Sequence, residues 1–416
     1  MSRDELEQLN WTRTRALVTY AARKVPFYRT YYAKAGFDPR ELKEPSDFRH
    51  VPVLRREHIR DHFHDLVSED ARAPHDFNLL ATGGSTGEPL KVYHAKRVIR
   101  IAMFWRMLAW WNIPMGCDFA SVYRETRTSW KATMRDRLLW WPGRRVQLDA
   151  RCLDEDAMRR FLQELARVRP PLLHGYVGGV DTLASFMLEE GISVPPPKAV
   201  WLTSSPFSAV QSRRIEEAFG APAYDQYGSC EVFYLAAQCA EKRGLHMFHD
   251  TRRIEFLDES YCPRPVGEYG QVAITDLLSA DFPFIRYLNG DQGRALPGEC
   301  PCGCSLPVMD HVRGRVSDCL RLPGGAVLNG SALTTIFDDH PDAVSRFQVH
   351  QSSDYQITVR VVATTPSAPP RDVLREVQRM LETWVKGEVP VRMELVESID
   401  KDRDKLRFVV SEVADS

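Results

Sequence analysis

Between residues 154 and 225 strand-length apolar runs alternate with helix-length amphipathic runs, and this alternation constrains the fold more than any other feature of the chain. A helix over 154–168 precedes Pro171-Leu172-Leu173-His174-Gly175, and a second runs through Thr182-Leu183-Ala184-Ser185-Phe186-Met187-Leu188. Then come the strand Ala199-Val200-Trp201-Leu202-Thr203, a helix over 210–219 and the strand-like Ala223-Tyr224-Asp225. Strands joined through helices run parallel, and the helices cover the sheet. Ligands gather at the carboxyl ends of such strands. The loops Ser204-Ser205-Pro206 and Gln226-Tyr227-Gly228-Ser229 are therefore candidate binding loops.

The 416 residues exceed what one core organises, so two or more domains are expected. A formal net charge of -1 without basic or acidic blocks argues against a nucleic-acid surface. No apolar run approaches the length of a membrane span, and Met1-Ser2-Arg3-Asp4-Glu5-Leu6 is too polar for a signal core. A cytoplasmic protein without membrane or nucleic-acid partners is expected.

Residues 4–35 read as helix interrupted at Pro26, and Pro52-Val53-Leu54 leads into another short helix. Over 95–112 apolar residues surround the helix, predicting one buried on all sides. Residues 244–290 change to short alternating strands, among them 270–275 and Phe284-Ile285-Arg286-Tyr287-Leu288. From about 319 the pattern is a small α+β domain: strands near 319–323, 346–351, 355–363, 391–396 and 406–411, with helices near 331–337 and 370–385.

Two constellations carry chemistry. Thr82-Gly83-Gly84-Ser85-Thr86-Gly87-Glu88-Pro89 lies between the strands Leu79-Leu80-Ala81 and Leu90-Lys91-Val92. Its glycines admit close backbone approach, and its hydroxyls and N–H groups suit anionic oxygens, although the lysine-bearing P-loop pattern is absent. An ordinary surface turn is the competing reading. The nine cysteines include Cys300, Cys302 and Cys304 within five residues, a spacing that favours metal over disulfides in a cytosolic chain. Cys239 and His246 could complete a tetrahedral Zn²⁺ site with Cys300 and Cys302, with Cys304 or His249 as substitutes; free thiols and a packed histidine are the alternative.

Five segments, in this order, resemble motifs of the adenylate-forming enzymes, in particular the phenylacetate–CoA ligase branch. They are the glycine loop, Tyr224-Asp225-Gln226-Tyr227-Gly228-Ser229-Cys230-Glu231, Phe284-Ile285-Arg286-Tyr287-Leu288-Asn289-Gly290-Asp291, Gly314-Arg315-Val316-Ser317-Asp318 and Asp404-Lys405-Leu406-Arg407. The resemblance spans nearly the whole chain. It implies an α/β fold: a large N-terminal adenylation domain (1–314) with parallel sheets and covering helices, and a small mobile α+β C-terminal domain (315–416).

It also implies ATP-dependent activation of a carboxylic acid, with an aryl or other apolar acid suggested by Trp105, Trp110, Trp130, Trp140 and Trp141. The acyl group would pass to CoA, or alternatively to an amine, a hydroxyl or a carrier-protein thiol. By resemblance, Thr82, Gly83, Gly84, Ser85, Thr86 and Gly87 hold phosphates. Ser204, Ser205, Asp225, Gln226, Tyr227, Gly228, Ser229 and Arg315 surround the nucleotide, with Tyr227 against adenine. Asp291 accepts the ribose hydroxyls, Glu231 binds Mg²⁺ and Lys405 is catalytic. Asp404 replaces the usual glycine before the lysine, and Ser317 the first acid of the hinge pair. Zinc at the cysteine cluster would be structural. Homodimers are common in the family, but this sequence does not specify one. His174 faces either substrate or core.

Overall fold

The structure is a computed structural model describing residues 1–71, 76–81, 90–98, 100–123, 134, 137–138, 141–150, 153–204, 207–312, 320–324, 327–328, 333, 336–337, 340, 343–365, 370–399 and 409–413. Its contacts divide into two units, residues 1–115 with 224–312 and residues 116–223 with 313–416. Among the described residues no helix is long and apolar enough to cross a membrane.

The first unit opens with α1 (Arg3–Lys24), started by a capping box in which Ser2 Oγ accepts from the Glu5 amide at 3.2 Å and Glu5 Oε2 from the Ser2 amide at 2.7 Å. Pro26 cannot continue that helix but suits the first turn of α2 (Pro26–Lys34), so the break falls where expected. After α3 (Arg56–Asp61), β1 (Phe77–Ala81) and β2 (Lys91–Ala95) form an antiparallel hairpin. The glycine loop of 82–89 lies outside the described residues, but both strands that carry it are as expected. The helix expected over 95–112 is α4 (Ile101–Trp110), which buries Met103, Phe104, Met107 and Leu108 while Trp105 stays 41% exposed. Full burial is therefore incorrect: Ala95 belongs to β2, and the spacing of the buried residues marks a single stripe.

In the second unit β3 (Phe119–Tyr123), β4 (Arg145–Asp149), α5 (Glu155–Val168), β5 (Leu172–Tyr176), α6 (Val177–Glu189), β6 (Ala199–Thr203) and α7 (Ala209–Phe219) follow in sequence. The strands pair in parallel in the order β4-β3-β5-β6; the alternation predicts the parallel pair β5-β6, and the structure adds β3 and β4 beside it. Ala120, Val122, Leu173, Val200 and Leu202 pack with Phe161, Leu165, Leu183 and Ile215 of the helices.

The chain continues through β7 (Ala223–Tyr227), β8 (Ala236–Gln238), β9 (Leu245–Met247), β10 (Arg252–Leu257), β11 (Gly270–Asp276), β12 (Tyr287–Gly293) and β13 (Val308–Met309). In the first unit β13, β9, β8 and β7 pair antiparallel in that order, and β10-β11-β12 form a separate antiparallel sheet. Two boundaries differ from the sequence reading. Gln226 and Tyr227 end β7 rather than forming a loop, paired with Ala237 and Ala236. The strand expected from Phe284 begins only at Tyr287. Before it Arg286 adopts φ 48°, because its buried guanidinium donates to the carbonyls of Arg49 and Val51 at 2.8 Å and of Tyr261 at 2.9 Å.

The C-terminal part of the second unit contains β14 (Leu320–Arg321), β15 (Val327–Leu328), β16 (Val344–Gln351), β17 (Ile357–Ala363), α8 (Arg371–Trp384), β18 (Val391–Leu395) and β19 (Val409–Ser411). The order β18-β17-β16-β19 and a core joining Leu374, Val377 and Leu381 to Val349, Val359 and Val361 make it the expected small α+β fold. Residues 313–319, most of the helix expected near 331–337 and residues 400–408 lie outside the described residues.

Candidate active site

Strand β7 and strand β12 bring the two acidic motifs together within the first unit. The Tyr227 hydroxyl donates to Asp291 Oδ2 at 2.7 Å, and Asn289 Nδ2 donates to the same oxygen and to the Tyr227 oxygen, both at 2.6 Å. The Asp291 amide donates in turn to Asn289 Oδ1 at 3.1 Å. Gly290 adopts φ 89° between these two residues, a conformation in which a Cβ is disfavoured, where the register of β12 shifts against β11. Burial, then the Asp291 charge, raises the Tyr227 hydroxyl well above its ordinary pKa, so it stays a donor. The result is an oriented carboxylate, half-buried, with one oxygen already fixed by two donors.

Glu231 is buried rather than solvated, and Tyr287 donates to its Oε1 at 2.9 Å. The turn leading to it is closed by Ser229, whose Oγ and amide bond the Val232 amide and carbonyl at 3.0 Å each. His94 of β2 bonds the Cys230 carbonyl through Nε2 at 2.9 Å, its ring tilted at 36° against that of Phe233 with centroids 4.6 Å apart. Burial, with Arg100 adding, pushes His94 down to about 4; neutral at physiological pH, it donates its Nε2–H to that carbonyl. The hairpin that carries the glycine loop is thereby tied to the turn that carries Glu231.

Asp225 accepts from His311 Nδ1 at 2.8 Å, while Gln238 accepts the Asp225 amide at 2.9 Å and contacts His311 Nε2 at 3.2 Å. Burial alone would lower His311; the hydrogen bond and charge of Asp225, with Asp310, outweigh it and raise the imidazole above its ordinary value. Ser204, at the end of β6 in the second unit, has φ 84°. Thr82, Gly83, Gly84, Ser85, Thr86, Gly87, Ser205, Arg315 and Lys405 lie outside the described residues, as do Trp130 and Trp140.

The cysteine cluster assembles as the sequence suggested. One ligand atom each from Cys239, His246, Cys300 and Cys302 lies within 4.8 Å of all the others. Cys239 and Cys300 Sγ are 3.7 Å apart, and Cys302 Sγ is 3.3 Å from His246 Nε2. Thiolates at about 2.3 Å from a tetrahedral Zn²⁺ stand about 3.8 Å from one another, so the spacing fits. His246 Nδ1 bonds the Leu306 carbonyl at 3.2 Å, which leaves Nε2 directed at the cluster with its lone pair available. Gly244 lets the connection between Cys239 and His246 turn: its φ is 155° and a Cβ there would meet the Met309 carbonyl at 2.6 Å. His249 is not part of the group, since its Nε2 pairs with Glu7 at 2.6 Å; the Cys304 amide donates to Cys302 Sγ at 3.4 Å.

Sequence reasoning missed Tyr287, Asn289, His94, Gln238 and His311. Period-2 spacing of Tyr287, Asn289 and Asp291 on one strand was the available signal. His311 and Asp225 lie 86 residues apart, and nothing local announces their pairing.

The chain has the fold of the adenylate-forming acid–CoA ligases and is similar in sequence to phenylacetate–CoA ligases. A phenylacetate–coenzyme A ligase of Thermus thermophilus is 24% identical over 387 residues, 88% of this chain and 81% of that protein. The crystal structure of 2-hydroxyisobutyryl-CoA ligase in the postadenylation state superposes with a TM-score of 0.81 at 22% identity, over 99% of this chain and 90% of that one. The amide bond synthetase McbA of Marinactinospora thermotolerans shares the fold over 79% of this chain and 67% of its own, with a TM-score of 0.55 and 15% identity. No protein-family model matches the chain.

Proposed function

We propose that this protein activates a carboxylic acid with ATP and transfers the acyl group to CoA. The carboxylate oxygen forms a bond to the α-phosphorus, the bond to the β-phosphate oxygen breaks, and pyrophosphate leaves. The CoA sulfur then adds to the acyl carbon and AMP departs. The observation that carries this reading is the paired carboxylates, Asp291 oriented by Tyr227 and Asn289 and Glu231 held by Tyr287, in a chain of this fold. Asp291 would accept the ribose hydroxyls, and Glu231 would hold Mg²⁺, which offsets phosphate charge when bound. Tyr227 would lay its ring against adenine while its hydroxyl steers Asp291.

The loop of Thr82, Gly83, Gly84, Ser85, Thr86 and Gly87 would cradle the β- and γ-phosphates. Ser204, Ser205, Gln226, Gly228, Ser229 and Arg315 would border the nucleotide. Lys405, on a mobile domain of 315–416 pivoting against 1–314, would neutralise charge at the reacting carboxylate and α-phosphate. Zn²⁺ at Cys239, His246, Cys300 and Cys302 would be structural, joining the segment after Glu231 to the segment after Asp291. The composition supports a cytoplasmic setting.

Transfer to an amine is the second reading, favoured by the fold shared with the amide bond synthetase. The test is pyrophosphate release with ATP and Mg²⁺ over a panel of aryl and aliphatic acids, with and without CoA, beside Lys405→Ala. Acid-dependent release that collapses in the variant and yields a thioester establishes the ligase. Release without a thioester moves the acceptor to an amine or another nucleophile, and no release with any acid overturns the reading.

A further inference from the structure

The parallel strands β4, β3, β5 and β6 have two unlike faces. Ala120, Val122, Leu173, Val200 and Leu202 form the apolar one, packed in the core with the helices. On the other face the register sets Gln147, Ser121, His174 and Trp201 in one row across the four strands. Rings close on His174: Phe119 at 5.3 Å, Tyr123 at 4.8 Å and Trp201 at 5.3 Å, with Tyr123 and Tyr176 4.5 Å apart at the carboxyl ends of their strands.

Neither ring nitrogen of His174 has a hydrogen-bond partner among the described residues, and neither does Gln147 Oε1. Ser121, in the same row, is engaged by Arg145 Nε at 3.3 Å. A buried polar atom without a partner is destabilising, and a row needed only for packing would be filled more stably by leucine or phenylalanine. Burial, with Arg145 adding, pushes His174 down to about 3, so the imidazole is neutral and offers one N–H and one lone pair. The aromatic walls favour a planar ring, and the strand ends are where parallel sheets receive ligands.

We propose that this face binds the ring of the acid, an aryl acid bearing a hydroxyl or amino substituent that hydrogen-bonds His174, with Tyr123 and Tyr176 against the ring. The proposal rests on the acid-activating reading above. A site built to hydrogen-bond a substituent strongly rejects the analogue that lacks it, because its own polar atoms are then left unpaired.

The experiment compares benzoate and phenylacetate with their ring-hydroxylated and ring-aminated counterparts, in wild type, His174→Phe and His174→Gln. Binding is read by calorimetry without ATP, and turnover by pyrophosphate release. In wild type kcat/KM for a substituted acid exceeds that of its parent by about ten- to a hundredfold, the cost of leaving a neutral buried group unpaired. In His174→Phe the ratio falls to near one with the unsubstituted acid still turned over, and His174→Gln restores part of it. A ratio unchanged in His174→Phe, a wild-type preference for the unsubstituted acid, or no binding of any of the acids overturns the proposal. His174-dependent binding without pyrophosphate release keeps this site and removes the acid-activating reading; release indifferent to His174 does the reverse. Thermal melting of each variant separates a folding defect from a lost contact, and His174→Gln decides the question if His174→Phe does not fold.

Discussion

At the scale of single residues, the site depends on carboxylates held in place by neutral donors. Asp291→Asn keeps the shape but removes the charge that would bind the ribose. KM for ATP is expected to rise about tenfold to a hundredfold in pyrophosphate-release kinetics, in line with the loss of charge-assisted hydrogen bonds. Tyr227→Phe keeps the ring and removes one of the two donors to Asp291 Oδ2, so a smaller rise, about three- to tenfold, is expected in the same assay.

Histidines set the dependence of stability on pH. His94 and His174 have folded values depressed to about 4 and about 3 from 6.5, so the unfolded chain binds more protons below 6.5. Their effect is loss of stability as pH falls from 6.5 toward those values, and His174→Phe should flatten part of that loss in urea unfolding followed across pH. His311 has the opposite sign. Its value is raised, so the stabilisation from Asp225 is fully present below 6.5 and fades as pH rises through the folded value. His311→Gln should remove that alkaline-side decline.

At the scale of elements, local chemistry sets the boundaries that the sequence made legible. Asp154 caps α5 by accepting the Ala157 amide at 2.8 Å, and Arg169 closes it in the left-handed conformation at φ 52°. Asp154→Ala should cost about 1 kcal/mol, read as a lower urea midpoint with unchanged slope. Pro26, the 154–225 alternation and the hairpin around the glycine loop were equally readable, because a missing N–H, a 3.6-residue period and a two-residue period are properties of short segments. The start of β12 was not readable. Arg286 leaves the strand path to reach carbonyls of Arg49 and Val51, more than two hundred residues earlier in the chain, and no window of sequence contains both ends of that interaction. The single buried stripe of α4 was lost for a related reason, since an apolar run does not say which of its sides a partner will cover.

At the scale of the whole molecule, the cysteine cluster spans segments from both sides of β9 and should behave as a folding constraint. One zinc per chain by elemental analysis is expected, with chelation lowering the melting temperature and Cys300→Ser reproducing that loss without chelator. Zinc absent from protein purified in its presence would remove the metal from the description and leave three thiols packed beside a histidine.

The sequence by itself determined the strand–helix alternation of 154–225 and the parallel run of β5 and β6, the small C-terminal α+β fold and the residue types of both candidate sites, because these follow from periodicity, turn chemistry and motif spacing; β3 and β4 came only from the structure. Tertiary structure alone decided which groups meet: Tyr227 and Asn289 on Asp291, Tyr287 on Glu231, His94 beside Cys230, His311 on Asp225, and His174 stranded among aromatic rings. Those pairings depend on strand register and on which side chains share a face, and both are fixed by packing between segments far apart in the chain.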